Sequence, residues 1–167
     1  RHTRFKCDWS SDVCSSDLPV LADFAGLELD AADLEALREC RPGRCAVKLS
    51  GDDISALRYA IDRAGDAWRE AAGLEFRRLL LARVQRYAQA GLAGLPAYAD
   101  HSEPIAPAAA FEGVLLRSPY VLRRLPALAS DLAATLPLSD GEDSYLYWSK
   151  ERYGAGKSVI SVSHVRI

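Results

Sequence analysis

A long helical pattern of apolar residues runs from Ser50 to about Gly91 and dominates the chain. Ser50 is a predicted N-cap, Asp53 is its capping-box partner three residues on, and Gly91 supplies the stop. Gly65 and Gly73 weaken the middle of the stretch, and they indicate either a close helix crossing or a break into two helices. The apolar residues that share one helical face are Ile54, Leu57, Ile61, Ala64, Trp68, Ala72, Phe76, Leu79, Leu80, Val84 and Tyr87.

Shorter helical patterns lie on both sides of this stretch. One helix is predicted from Ala31 to about Glu39, with an aspartate near its start, and another from Ala108 to Arg117. Ser118-Pro119 then resembles an N-cap followed by proline at the first helical position. The last helical stripe runs from Tyr120 to Leu132, and Pro126 is expected to kink or split it.

The pattern changes from helical to strand-like beyond Asp140. The segments Ser144–Lys150 and Ser158–Arg166 are rich in aromatic and β-branched residues, and the residues between them fit a hairpin loop. A two-stranded hairpin is marginal by itself, so we expect further strands beyond Ile167. The predicted fold is therefore α+β: mainly helical with one long central helix, and ending in the first hairpin of a truncated antiparallel sheet.

The first eighteen residues do not fit the rest of the chain. Asp8 to Leu18 reads DWSSDVCSSDL, and these eleven residues resemble the conceptual translation of a common sequencing adapter. The segment is rich in Ser and Asp and lacks apolar periodicity, so it cannot bury a core. We expect residues 1–18 to be non-native and to pack against nothing, which leaves residues 19–167 as a single α+β domain, truncated at its C-terminus, whose own N-terminus is lost.

Composition excludes several classes of function. The 167 residues are 49% hydrophobic with a formal charge of −2, which is typical of a soluble globular domain. The balanced charge gives no electrostatic argument for nucleic-acid binding, and no long uncharged apolar run predicts a transmembrane segment. No motif calls for a cofactor.

Cys40 and Cys45 flank the turn Arg41-Pro42-Gly43-Arg44, in which proline and glycine occupy the positions that a type II turn favours. A structural disulfide across this turn is the favoured interpretation, and two reduced, buried cysteines are the second. The redox-active alternative lacks the C-x-x-C spacing, and a metal site lacks a second pair of ligands.

Three other candidates for chemistry have simpler explanations. The segment Gly154–Ser158 resembles the end of a phosphate-binding loop, but the earlier glycine is missing and a strand is predicted where a helix should follow. His101 lies between Asp100 and Glu103, and a carboxylate neighbour suits proton transfer, yet a solvated loop histidine is the commoner case. His164 shares a strand face with Ile160 and Val162, and we expect it to be packed or at an edge.

The aromatic residues near the C-terminus are candidates for the lining of a pocket. Three of them lie in one predicted strand, and a tryptophan of the long helix can meet them across a helix–sheet boundary. Ordinary packing of sheet on helices is the competing and favoured interpretation. The four residues are Trp68, Tyr145, Tyr147 and Trp148.

The segments ECRPGRCAVKL and YLYWSKERYGAGKSVISVSHV resemble a group of uncharacterised bacterial exported proteins. That group carries a similar C-R-P-G-x-C-x-V-K-L segment, a helical middle and a Tyr-Trp-Ser-Lys strand. The resemblance implies a periplasmic or secreted location, and hence a Cys40–Cys45 disulfide, but no activity. We expect a non-enzymatic exported protein that binds an apolar ligand or a protein partner through a helix–sheet cavity; the alternative is a hydrolase-type enzyme whose catalytic residues lie in the missing C-terminal part.

Overall fold

The computed structural model describes residues 2–4, 19–133, 144–153 and 157–166, and in this part of the chain it confirms the α+β fold. Three short 3₁₀ turns, at Leu21–Phe24, Gly65–Ala67 and Gly91–Gly94, connect the main elements. The helices are α1 (Ala31–Arg38), α2 (Gly51–Ala64), α3 (Trp68–Ala90), α4 (Pro107–Leu116), α5 (Pro119–Arg124) and α6 (Pro126–Ala133), and the strands are β1 (His2–Arg4), β2 (Ser144–Tyr153) and β3 (Lys157–Arg166).

The long helical stretch begins and breaks at the residues that its pattern indicated. The Ser50 hydroxyl accepts a hydrogen bond from the Asp53 backbone N–H, and the Asp53 carboxylate accepts one from the Ser50 N–H, both at 3.1 Å. Gly65 then ends α2 with a φ of +52°, a backbone conformation that side chains other than glycine disfavour. Because α2 and α3 also pack against each other, the prediction of a break into two helices is confirmed. Gly73 continues within α3 and lies close to Leu29.

The buried core joins the first three helices to the sheet. Phe24, which precedes α1, belongs to this core, and its ring stacks on Trp148 of β2 with the ring centroids 6.4 Å apart. Each long helix contributes one apolar face to this core, as its spacing predicted. The buried residues are Phe24, Leu27, Leu37, Cys40, Leu49, Ile54, Leu57, Ile61, Trp68, Ala72, Phe76, Leu80, Val84, Leu146 and Trp148.

The sheet contains three antiparallel strands in the order β1-β2-β3. The hairpin of β2 and β3 confirms the two predicted strands, and its register places Trp148 opposite Val162. The prediction that residues 1–18 pack against nothing is wrong for His2–Arg4, which pair with β2 from Tyr147 to Ser149. The physical reason is that an open strand edge offers backbone donors and acceptors to any extended segment, whatever its sequence. The adapter-like residues Asp8–Leu18 lie outside the described residues.

The last three helices form a separate group of short elements. Pro126 divides α5 from α6, which confirms the predicted split, and α4, α5 and α6 contact one another. Ser118 does precede Pro119 at the start of α5, but its hydroxyl donates to the Val114 carbonyl at 2.8 Å instead of capping that helix. Much of the apolar surface of this group is exposed.

Candidate functional site

A cavity of about 400 Å³ lies between the loop that precedes α1 and strand β2. Trp148, Lys150 and Arg152 point into it from β2, because alternate residues of a strand share one face. The opposite wall is formed by the loop residues Gly26, Glu28, Leu29 and Asp30. The volume falls within the range typical of small-molecule sites.

Hydrogen bonds hold both ends of the loop in place. The Trp148 indole Nε1–H donates to the Asp23 carbonyl at 2.8 Å, so the ring is fixed where it forms the floor of the cavity. The Arg77 guanidinium of α3 donates to the Leu27 carbonyl at 2.7 Å, and the Lys150 ammonium donates to the Glu28 carbonyl at 2.8 Å. The cavity is therefore preformed, with walls that are tied to the core.

The charges at the rim of the cavity are already paired. Lys150 binds the Asp33 carboxylate and lies 3.7 Å from that of Asp30, while Arg152 lies 3.2 Å from Asp30. Asp30 also caps α1, because its carboxylate accepts a hydrogen bond from the Asp33 N–H at 3.0 Å. This backbone bond, together with the two nearby cations, holds the pKa of Asp30 below its ordinary value although partial burial acts in the opposite direction. Since each cation has a carboxylate partner, the rim presents no unpaired positive charge to a ligand.

The four aromatic residues proposed for a pocket do not line this cavity together. Trp148 does, whereas Tyr147 alternates to the other face of β2. Trp68 is buried at the start of α3, with the guanidinium carbons of Arg38 and Arg69 at 4.7 and 4.5 Å from its ring centroid. The side chain of Tyr145 lies outside the described residues.

Sequence reasoning missed the charged part of this site. Lys150 and Arg152 follow Trp148 at a spacing of two, so a strand assignment alone places all three on one face. A lysine on the core-facing side of a strand needs a carboxylate partner. Asp30 and Asp33, at the predicted start of α1, are carboxylates that could serve as this partner. That pairing requires knowing that α1 packs beside β2, which the sequence pattern does not specify.

A second polar cluster lies where the loop after α3 meets the cysteine turn. The turn is closed by the Cys40–Cys45 disulfide, with Cα atoms 4.3 Å apart, and Gly43 has a φ of +81° as the type II turn requires. Backbone hydrogen bonds join Gly43 to the Ala99 carbonyl and Cys45 to the Asp100 carbonyl. The favoured interpretation of the two cysteines as a disulfide pair agrees with this arrangement.

Asp100 is the buried centre of the second cluster. The Lys48 ammonium donates to its carboxylate at 2.5 Å, and the Nε2 atom of His101 lies 3.2 Å from the same oxygen. Burial raises the pKa of Asp100, but the Lys48 hydrogen bond, a backbone hydrogen bond and the Lys48 charge together outweigh it, so that the pKa lies below its ordinary value. His101 itself is mostly exposed, as expected of a loop histidine, and it borders a cavity of about 340 Å³ with Glu39 and Arg44.

The remaining candidates have structural roles. His164 is partly buried against α3, in agreement with the expectation of a packed residue, and its Nδ1 atom lies 2.9 Å from the Tyr87 hydroxyl. Lys157 and Ser158 begin strand β3, so the resemblance to a phosphate-binding loop fails at these two residues. Gly154, Ala155 and Gly156 lie outside the described residues.

Within the described ranges, no group of three or more His, Cys, Asp and Glu side chains is placed to hold a metal ion. No helix in the same ranges is long and apolar enough to cross a membrane.

Comparison of the chain with models of protein families, with curated proteins and with solved structures gave no match.

Proposed function

We propose that the protein is a non-enzymatic binding protein, exported from the cell, whose cavity between the loop before α1 and strand β2 holds a small neutral ligand with an apolar face. The observation that carries the proposal is the preformed cavity of about 400 Å³ over Trp148. The alternative of a hydrolase stays a prediction.

The chemistry of the walls determines the class of ligand. Leu29 offers apolar contact, and Trp148, which is 1% exposed, adds a small part of its ring edge. Among the polar groups, Asp30 is paired with Lys150 and Arg152, and the Lys150 ammonium also donates to the Glu28 carbonyl. An anionic ligand would have to separate Arg152 from Asp30, and a cationic one would compete with Lys150. A neutral ligand leaves both ion pairs intact, so the walls of the cavity favour a neutral ligand.

The disulfide supports the proposed location. Bonds of this kind persist in oxidising compartments such as the periplasm or the extracellular space, and the Cys40–Cys45 pair closes a turn at the surface of the domain. The resemblance to exported proteins points the same way.

Filling the cavity at Gly26 tests the proposal. A Cβ atom at Gly26 would meet Trp148 at 3.9 Å, an ordinary contact, so Gly26→Leu places its side chain in the cavity without backbone strain. The matched control is Gly51→Leu at the start of α2, where a Cβ atom would meet nothing within 4 Å. The neutral fluorescent probe N-phenyl-1-naphthylamine should bind the unaltered protein and the control, and Gly26→Leu should weaken binding roughly tenfold or more.

Melting curves of both variants establish that each is folded before binding is compared. If folded Gly26→Leu binds the probe as tightly as Gly51→Leu does, the cavity is not the ligand site. If the unaltered protein binds neither this probe nor any neutral compound of a fragment library, the binding proposal itself fails.

A further inference from the structure

Exposed large apolar side chains are concentrated in one short region of the described chain. Of the eleven that are exposed in the described part of the chain, six fall between residues 114 and 128, in α4, α5, α6 and their junctions. Leu116 and Tyr120 are 67% and 70% exposed. Because α4, α5 and α6 contact one another, these side chains belong to one group of helices. We call this region the α4–α6 surface; its exposed apolar residues are Val114, Leu116, Tyr120, Leu122, Leu125 and Leu128.

The charge of the same region differs from that of the whole chain. Residues 107–133, which span the three helices, contain three arginines against Glu112 and Asp131, a net charge of +1, whereas the chain as a whole carries a formal charge of −2. Arg117 and Arg124 form no ion pair within the described ranges, and Arg123 donates only to the Pro119 carbonyl at the start of its own helix. The three arginines therefore have no ion-pair partner in the described part of the chain, and they outnumber the carboxylates of the same helices by one.

We propose that the α4–α6 surface docks on an anionic lipid bilayer. Short helices that expose leucine, valine and tyrosine between arginines have the composition of segments that lie in the plane of a membrane interface. The apolar side chains enter the boundary of the acyl chains, Tyr120 suits the interface itself, and the arginine stems reach the phosphate groups. Contact with lipid removes the exposed apolar area from water and pairs the arginines at the same time.

This surface is separate from the cavity over Trp148. The cavity is lined by residues 26–30 and by β2, and none of α4, α5 or α6 contributes to it. Membrane docking and ligand binding are thus independent properties, and each can fail without the other.

Vesicle co-sedimentation of the full chain tests the proposal. The protein should pellet with vesicles of phosphatidylglycerol and phosphatidylcholine in equal parts, and much less with phosphatidylcholine alone. Arg123→Gln/Arg124→Gln should lower partition into the anionic vesicles roughly tenfold or more, since each basic side chain near an anionic surface contributes about a fivefold gain. Leu116→Ser/Tyr120→Ser should lower partition into both kinds of vesicle.

The chain offers a control with the same chemical change at another place. Tyr59 and Arg63 of α2 are exposed and make a local pair, with the guanidinium donating to the Tyr59 hydroxyl at 2.7 Å. Tyr59→Ser/Arg63→Gln should leave partition unchanged, whereas Tyr120→Ser/Arg124→Gln should reduce it. Circular dichroism of every variant establishes that the helices remain.

Three outcomes would overturn the proposal. The first is that the folded protein sediments with neither kind of vesicle. The second is equal partition into neutral and anionic vesicles, which would remove the role of the arginines. The third is a concentration-dependent dimer in sedimentation velocity that Leu116→Ser/Tyr120→Ser abolishes while vesicle binding is absent, because a second copy of the chain would then be the occupant of the surface.

Discussion

The α2–α3 pair and the α4–α6 surface both consist of apolar residues at helical spacing, but they differ in what covers them. In α2 and α3 the apolar face meets α1, the loop before it and the sheet, so Leu57 and Phe76 are almost fully buried. In α4, α5 and α6 the apolar residues outnumber the positions that neighbouring helices can cover. Leu116 and Tyr120 consequently remain in water.

The two regions also differ in how their helices begin. Both α1 and α2 have a reciprocal capping box, at Asp30 with Asp33 and at Ser50 with Asp53. The starts of α4 and α5 have a proline at the first position and no side-chain hydrogen bond to the cap. Local signals and tertiary packing thus reinforce each other in the first region, and we expect stability to be concentrated there.

The comparison predicts that the same substitution has a large effect in one region and almost none in the other. Leu57→Ala, at a fully buried position of α2, should lower the free energy of unfolding by about 2–5 kcal/mol, because a cavity replaces the side chain. Leu116→Ala, at 67% exposure in α4, should change it by about 0.5 kcal/mol or less. Urea unfolding followed by circular dichroism measures both. Equal losses for the two variants would show that the α4–α6 surface is covered in solution.

The sequence was informative where local chemistry decides the structure. The Ser50 capping box was predicted, a break was one of the two alternatives for Gly65, and a kink or split was expected at Pro126. Each of these features depends on a few neighbouring residues. The two strands of the hairpin were also recognised from their β-branched and aromatic residues. The charged cavity was not foreseen, because it depends on the distance between Lys150 and the start of α1, which are more than a hundred residues apart.

The pairing of His2–Arg4 with β2 shows the other limit of sequence reasoning. A polar composition argues that a segment cannot build a core, and that argument says nothing about backbone hydrogen bonding at a strand edge. Side-chain patterns therefore predict burial of a segment reliably. They are a poorer guide to whether an extended segment forms backbone hydrogen bonds with a neighbouring strand.

The second prediction concerns the cysteine turn, where we expect a loss of stability of intermediate size. Cys40→Ser/Cys45→Ser should lower the free energy of unfolding by about 2 kcal/mol, the value that chain entropy gives for so short a loop. Alkylation in denaturant without reductant, followed by mass analysis of the peptides, checks the bond directly, since a disulfide leaves Cys40 and Cys45 unmodified even when the chain is unfolded. Modification of both thiols in the unfolded, unreduced chain would contradict the disulfide, and would leave two reduced cysteines as the correct interpretation.

The third and smallest effect concerns the ion pair between Lys48, in the segment that leads into α2, and Asp100, in the loop after α3. Lys48→Met removes the cation beside the buried Asp100 carboxylate, and we expect a loss of about 1–2 kcal/mol in the free energy of unfolding at about pH 7. Arg124→Met in α5 is the matched control, because that arginine has no ion pair in the described part of the chain, and its removal should have almost no effect on stability.

The pH dependence of this loss identifies its cause. Asp100 has a pKa below its ordinary value of 3.8 in the folded protein, so its ionised form stabilises the fold above that pH. The stabilisation disappears as the pH falls from about 4 through the lower folded pKa, because the carboxyl group is then protonated in both states. The difference between the unaltered protein and Lys48→Met should therefore be largest near neutral pH and should shrink towards about pH 3. A difference that stays constant over this range would show that Lys48 stabilises the loop through the packing of its aliphatic stem, and not through the charge of Asp100.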